Sequence, residues 1–139
     1  PDDVRRRVRE ALETVGAAHL SDRPPYRLSG GEKRAVAIAT VLSMQPDVLV
    51  MDEPTASLDP RSRRRVIELL RSFHHTKILA THDLDMALDV CGRALVMHQG
   101  VVRADGPTAE LFRDDALMAE CCLERPLRLQ GCPFCSRRS

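Results

Sequence analysis

The sequence lacks the features that would assign it at once to the membrane, secreted or nucleic-acid-binding proteins. No apolar stretch reaches membrane-spanning length, and the start, Pro1-Asp2-Asp3-Val4-Arg5, has neither a secretory signal nor an initiating methionine. Net charge is only +1, with 21 basic and 20 acidic side chains, so global charge gives no reason to expect nucleic-acid binding. We therefore expect a cytosolic chain that is part of a longer protein.

Disulfide bonds are also not indicated. The five cysteines occur without secretory features, so we expect reduced thiols. Cys132 and Cys135 form one Cys-x-x-Cys pair, which is half of a zinc site, and the adjacent Cys121 and Cys122 are poorly spaced to complete it. Free thiols in a disordered tail and a metal or redox site both remain open for these cysteines.

The sequence does contain an apolar run that is followed directly by two acidic residues. Residues 48–51, Val-Leu-Val-Met, show no alternation, which favours a strand covered on both faces in a parallel α/β sheet. Asp52 and Glu53 follow at the carboxyl end of the strand, where such sheets bind ligands. Asp52 can hold a hydrated Mg²⁺, and Glu53 can orient and deprotonate a water. This carboxylate pair indicates nucleotide hydrolysis.

A second candidate site is Ser29-Gly30-Gly31-Glu32, which opens a helix whose apolar face begins at Ala35. Glycine lets the backbone approach a ligand, the first-turn N–H groups lack intrahelical partners, and the helix dipole favours an anion. Ser29 adds a hydroxyl donor. The pattern predicts a phosphate site, although an ordinary helix cap explains these residues equally well when they are taken alone.

Periodicity predicts the remaining elements around a single core, since 139 residues hardly allow two. The predicted helices are Asp3–Val15, Asp59–Phe73, Leu84–Cys91 and Ala116–Leu123; the further strands are Lys77–Ala80 and a hairpin of Ala94–Met97 with Val101–Ala104; and Ala17–Arg27 is predicted to be a loop. The helix from Asp59 has an apolar stripe of Val66, Leu69, Leu70 and Phe73. Its arginines are interpreted as a solvated face.

Together these motifs resemble those of the ATP-binding cassette (ABC) ATPases. Leu28-Ser29-Gly30-Gly31-Glu32 is similar to the signature motif, and Val48 to Pro54 is similar to the Walker B strand with its catalytic glutamate. Ser57-Leu58-Asp59 resembles the D-loop, and His82 lies where the family has its switch histidine. The motifs occur in the family's order and spacing, and the match covers about Leu28 to Phe112.

The resemblance implies an α/β fold. We expect a P-loop NTPase-like parallel sheet with flanking helices, a helical signature segment and a C-terminal β-hairpin, incomplete because the N-terminal half with the Walker A loop is absent. Residues 1–112 are expected to be the C-terminal portion of one ATPase domain, with the helical part at about 1–45 and the catalytic core at about 46–112. Residues 113–139 are expected to form an extension, partly helical and then disordered.

The resemblance also implies ATP and Mg²⁺ as cofactors, and a head-to-tail dimer of two ATPase subunits. The residues that would contact the nucleotide held by the partner subunit are Ser29, Gly30, Gly31 and Glu32. In the chain's own site, Asp52 would hold Mg²⁺ through water, Glu53 would polarise the attacking water and His82 would steady the γ-phosphate. Asp59 would link the two sites across the dimer.

Glu32 stands where the family most often has glutamine. Followed by Lys33-Arg34, it resembles the group that imports cobalt, nickel or vitamins through energy-coupling-factor complexes. We therefore expect the ATPase subunit of a prokaryotic importer, peripheral on the cytoplasmic side of the membrane, bound to an integral membrane subunit and not to nucleic acid.

The sequence contains no Gly-x-x-x-x-Gly-Lys-Ser/Thr loop, which the family uses to hold the triphosphate. This chain alone is therefore expected not to hydrolyse ATP, and its sheet is expected to leave apolar surface uncovered. Two alternatives remain: a soluble cassette ATPase of DNA repair or translation, and a truncated, catalytically silent cassette that acts only as a binding module.

Overall fold

The structure is a computed structural model that describes residues 2–74 and 76–131. Its α-helices and strands are α1 (Asp2–Thr14), α2 (Gly30–Leu42), β1 (Val48–Asp52), α3 (Pro60–Ser72), β2 (Thr76–Ala80), α4 (Leu84–Val90), β3 (Arg93–His98), β4 (Val101–Pro107), α5 (Thr108–Leu111) and α6 (Asp115–Glu120). The chain divides into two compact units, one ending at Ala80 and one beginning at Thr81, and each has its own core in place of the single core that the chain length predicted. None of the described helices has the length and apolar character needed to cross a membrane.

In the first unit, α1 and α2 form where the apolar periodicity predicted helices. The segment between them is not the irregular loop that was expected, because two short 3₁₀ turns occupy Ala18–Leu20 and Pro25–Arg27. The turns exist because Leu20 and Leu28 are buried against Ala17, in a small core that α1 and α2 complete with apolar side chains. This packing holds the segment against the two helices.

Strands β1 and β2 pair in parallel, with Val48 opposite Thr76 and Asp52 opposite Ala80, as the apolar runs predicted. The expectation that β1 is covered on both faces is wrong for this chain. Leu49 is 2% exposed, whereas Val50 is 69% exposed. The described residues supply a packing layer on one face only, so the expectation of uncovered apolar surface is confirmed.

Helix α3 begins as predicted, with Asp59 as its N-cap and Pro60 as its first residue. Its buried residues are Val66, Ile67 and Leu70. The predicted stripe included Leu69 and Phe73, which are only half-buried. The buried face is therefore rotated towards Ile67, since tertiary packing and not periodicity alone decides which edge of an apolar stripe faces the core.

The second unit packs the predicted antiparallel hairpin, β3 and β4, with three short helices. Its core consists of Ala87, Val96, Phe112, Leu117, Met118 and Cys121. Residues on both sides of position 112 therefore share one core. Beyond α6, the Asp85 carboxylate accepts the backbone N–H groups of Leu127 at 3.0 Å and Arg128 at 3.3 Å, and Arg128 also pairs with Asp89. These contacts fasten the segment after α6 to α4.

Candidate functional site

The N-terminus of α2 is held by a reciprocal pair of hydrogen bonds between Ser29 and Glu32. The Glu32 N–H donates to Ser29 Oγ at 3.3 Å, and the Ser29 N–H donates to Glu32 Oε2 at 2.8 Å. The second bond, and then the bond from the Ser29 hydroxyl, lower the pKa of the Glu32 carboxyl. Glu32 is therefore ionised at neutral pH and closes a capping box, a contact that the sequence analysis did not predict.

The two glycines of this turn differ in their surroundings. A Cβ atom on Gly30 would meet nothing within 4 Å, whereas a Cβ atom on Gly31 would lie 2.6 Å from the Cβ of Ser62. Gly31 is therefore required by the packing of α2 against the first turn of α3. Gly30 leaves an open backbone surface, and helical geometry gives its N–H no intrahelical acceptor.

Asp59 caps α3 on the other side of this contact. Its carboxylate accepts the N–H groups of Arg61 at 3.0 Å and Ser62 at 3.1 Å. The Ser62 hydroxyl, followed by the Ser62 N–H, lowers the pKa of the Asp59 carboxyl. The structure therefore brings the Ser-Gly-Gly turn and the Asp59 cap together at the N-termini of two helices.

Asp52 and Glu53 lie where the sequence predicted, at the carboxyl end of β1. Asp52 is the exposed last residue of the strand, and the Glu53 N–H donates to the Ala80 carbonyl of β2 at 2.8 Å. Glu53 adopts a left-handed φ of 43°, which is uncommon for a residue with a side chain. The chain turns sharply at this point and leads into Pro54, which is buried.

Arg34 is a site residue that the sequence reasoning missed. From α2, its guanidinium donates to the carbonyls of Pro54 through Nε at 3.0 Å and of Asp52 through Nη2 at 3.1 Å, and also to the carbonyl of Glu53. Periodicity gave no signal for this contact, because Arg34 reads as one more basic residue on an amphipathic helix. A single side chain thus joins the helix of Ser29 to the turn of Glu53.

His82 belongs to the second unit, and it follows the last residue of β2 by two positions. Its imidazole is exposed. The backbone on its two sides is fixed because Thr81 Oγ1 accepts the Asp83 N–H at 3.0 Å and Asp83 caps α4 through the Met86 N–H at 3.0 Å. The histidine is thus presented on a hydrogen-bonded turn.

Some of the cysteines lie within the described residues and others lie outside them. Cys121 is buried in the core of the second unit and Cys122 is exposed. The predicted Cys132 and Cys135 pair lies outside the described residues. Within residues 2–74 and 76–131, no group of three or more histidine, cysteine or acidic side chains could hold a metal ion directly.

Known proteins resemble this chain in sequence and in structure. A family model described as "AAA domain, putative AbiEii toxin, Type IV TA system" matches residues 1–88. A "Putative ABC transporter ATP-binding protein" of Geobacter sulfurreducens is 62% identical over 137 residues, which are 99% of this chain and 55% of the relative. The chain belongs to the AAA-type ATPase domains of the ABC transporter family.

Further members of the family agree with this assignment. The "Energy-coupling factor transporter ATP-binding protein EcfA2" of Bacillus licheniformis is 49% identical over 116 residues, covering 78% of this chain and 40% of the relative. The solved structure of cbiO1 from Clostridium perfringens, described as part of the ABC transporter complex cbiONQ, superposes with a TM-score of 0.74 at 41% identity, covering 86% of this chain and 49% of that one. This cassette chain spans about half the length of the curated relatives that it matches.

The residues of the cassette fit the cofactors that the family implies. Asp52 offers exposed carboxylate oxygens, the ligand type that Mg²⁺ prefers. The open backbone at Gly30 and the polar first turn of α2 suit the oxygens of a phosphate group. The ionised carboxylates of Glu32 and Asp59, at the starts of α2 and α3, oppose an anion at this place.

Proposed function

We propose that this chain is part of an ATP-hydrolysing cassette subunit that works as a dimer, so that each nucleotide lies between two subunits. The observation that carries the proposal is the pair of acidic residues at the carboxyl end of β1, whose backbone carbonyls accept hydrogen bonds from Arg34 of the helix that begins at Gly30. Phosphoryl transfer depends on positioning and on electrostatic stabilisation, and both groups of residues can serve those purposes.

In the chain's own site, Asp52 would hold Mg²⁺ through water, and the bound ion supplies positive charge beside the phosphate oxygens. Glu53 would orient the attacking water and accept its proton. His82 would donate a hydrogen bond to the γ-phosphate. We propose that residues 1–112 are the C-terminal portion of one ATPase domain and that residues 113–139 are an extension, of which Leu117, Met118 and Cys121 join the core of the second unit.

At the partner's site, the Gly30 N–H would donate a hydrogen bond to the γ-phosphate bound by the other subunit, and the Ser29 hydroxyl would do so by turning away from the Glu32 carboxylate. Gly31 and Glu32 would act there mainly by shaping this turn, because Gly31 packs on Ser62 and Glu32 holds the Ser29 N–H. Asp59, which lies beside Gly31, would connect the two sites through the start of α3. Binding of ATP would therefore close the dimer, and hydrolysis would open it.

We further propose that the cassette powers import of a metal ion such as cobalt or nickel, or of a vitamin, from a peripheral position on the cytoplasmic side of a prokaryotic membrane. The support is the resemblance of Glu32-Lys33-Arg34 to energy-coupling-factor ATPases, together with the names of two relatives, an energy-coupling factor ATP-binding protein and a part of the cbiONQ complex. An integral membrane subunit would then select the cargo.

The proposed chemistry is tested in a chimeric cassette, in which this chain replaces the matching part of the Geobacter relative so that a phosphate loop is present. We expect Glu53→Gln to retain ATP binding but to lower turnover by about 100-fold or more, because the attacking water loses its base. Glu68→Gln, an exposed change on α3, is the matched control and should leave turnover unchanged. Near-normal turnover in Glu53→Gln would remove Glu53 from the catalytic role.

The silent binding module is the second candidate, and it is favoured by the open backbone at Gly30, which could contact a nucleotide held by another subunit. The chain alone should then show no ATP turnover, yet it should associate with an intact cassette subunit in the presence of ATP. Turnover by the chain alone would contradict this candidate.

A further inference from the structure

Arg34 contacts three backbone carbonyls of the turn that follows the Walker B strand. Its guanidinium bridges the carbonyls of Asp52, Glu53 and Pro54, which are consecutive along the chain. A planar fork of N–H donors can span neighbouring carbonyls in this way, whereas the compact ammonium of a lysine cannot hold the same arrangement. The contact is half-buried, so water competes with it only in part.

Glu53 is a residue whose backbone needs such support. Its φ of 43° lies in the left-handed region, which persists in a residue with a side chain only when its neighbours hold it there. The Glu53 N–H is held by the Ala80 carbonyl at 2.8 Å, and the Glu53 carbonyl accepts from Ala56 at 3.2 Å and from Arg34. Of these three contacts, only the one from Arg34 comes from outside the strand ends and the turn itself.

The other end of the connection is the first turn of α2. Arg34 follows Gly30 by four positions, so the two residues lie one helical turn apart on the same face. The Ser29 and Glu32 capping box makes this first turn rigid, and Gly31 packs directly on Ser62. Ser29 and the guanidinium of Arg34 are therefore joined by a short stretch of helix whose first turn is fixed by hydrogen bonds.

We propose that Arg34 is a positioning residue that fixes the orientation of Glu53 from the helix carrying Ser29 and Gly30. This inference rests on the proposed function, because it concerns the same two sites. The consequence is that Glu53, the base of one nucleotide site, is held in position by α2, the helix that contacts the nucleotide of the other site. Contact with the partner's γ-phosphate and alignment of the attacking water then become a single event.

The test uses Arg34→Lys in the chimeric cassette, since lysine keeps the charge and the aliphatic stem but not the fork. We expect kcat to fall by about tenfold or more while the KM for ATP stays within about twofold, because a misplaced base affects the chemical step and not nucleotide binding. Lys33→Gln changes an exposed neighbour on the same helix and is the matched control, with kcat expected to be unchanged. A kcat of Arg34→Lys within about twofold of the parent overturns the inference.

Chemical rescue separates positioning from a general structural role. In Arg34→Ala, added methylguanidinium should restore a large part of kcat, because the free ion can occupy the vacated place against the three carbonyls. Ethylammonium, which has no fork, should not restore it. A loss of kcat that neither compound repairs overturns the inference, and if the alanine variant does not fold, the result for Arg34→Lys decides.

The outcomes distinguish this inference from the proposed function. If the parent chimera does not turn over ATP, or if Glu53→Gln keeps full turnover, the proposed function fails. If the parent is active, Glu53→Gln is inactive and Arg34→Lys behaves like the parent, only the role of Arg34 fails.

Discussion

Gly31 and Ser62 are in such close contact that no side chain fits between the helices that carry them. A Cβ atom on Gly31 would lie 2.2 Å from the Oγ and 2.6 Å from the Cβ of Ser62. Rotation of the hydroxyl would relieve the first clash, but the second can be relieved only by moving the backbone of one helix. This contact joins the Ser-Gly-Gly turn of α2 to the start of α3.

The first prediction follows from this contact. Gly31→Ala should lower the free energy of unfolding of the chain by about 1–3 kcal/mol, as expected for overpacking, in a urea titration followed by circular dichroism. Gly30→Ala is the matched control and should be neutral or slightly stabilising, because its Cβ meets nothing within 4 Å and alanine favours the helix. Equal stability of the two variants would contradict the packing described for Gly31.

A pH dependence is expected from the capping box. Because the folded protein lowers the pKa of Glu32 below its ordinary value of 4.5, the ionised carboxylate contributes stability that is fully present above about pH 4.5. That contribution should be lost as the pH falls through the lowered pKa. Glu32→Gln keeps the acceptor oxygen but does not titrate in this range, so the stability difference between parent and variant should be constant above about pH 6 and should shrink below about pH 4.5.

The measurement is a series of urea titrations from neutral pH to acid, with both proteins treated identically. Glu13→Gln, on α1 and outside the capping box, is measured alongside as a comparison. A stability difference for Glu32→Gln that grows towards acid would show that the sign assigned to the Glu32 contact is wrong.

The uncovered face of the β1 and β2 sheet should make the 139-residue chain associate with itself. Val50 and Ile78 are paired in register and are 69% and 56% exposed, so they form the centre of an apolar strip. Val50→Lys and Ile78→Lys should each reduce association without lowering stability, measured by light scattering across a concentration series. Leu49→Lys, on the covered face, should instead unfold the chain. A parent chain that stays monomeric at every concentration would contradict the prediction.

The segment after α6 should be released by a change in α4. Asp85→Ala removes the acceptor for the N–H groups of Leu127 and Arg128, so hydrogen exchange of these two amides should become faster by about tenfold or more. Asp105→Asn, which breaks the exposed pair with Arg93 on the hairpin, is the control and should leave these amides protected. Unchanged exchange in Asp85→Ala would mean that other contacts hold the segment.

Local features of the fold could be predicted from the sequence because each depends on residues that are neighbours along the chain. The apolar run before Asp52, the Ser29 cap of α2 and the Asp59-Pro60 start of α3 all specify their own backbone. The motifs predicted the cassette family for the same reason, since the residues that form a phosphate site lie in short segments of the sequence.

What the sequence alone determined about this protein is therefore its elements, its parallel pairing of β1 with β2 and its candidate site residues. Only the tertiary structure decided that Gly31 serves packing while Gly30 stays open, that one face of β1 is uncovered, and that Arg34 reaches the turn of Glu53. The physical reason is that these relationships join residues distant along the chain, and periodicity and capping rules describe only neighbours. Arg34 and Pro54, twenty positions apart, meet only once α2 and β1 are folded against each other.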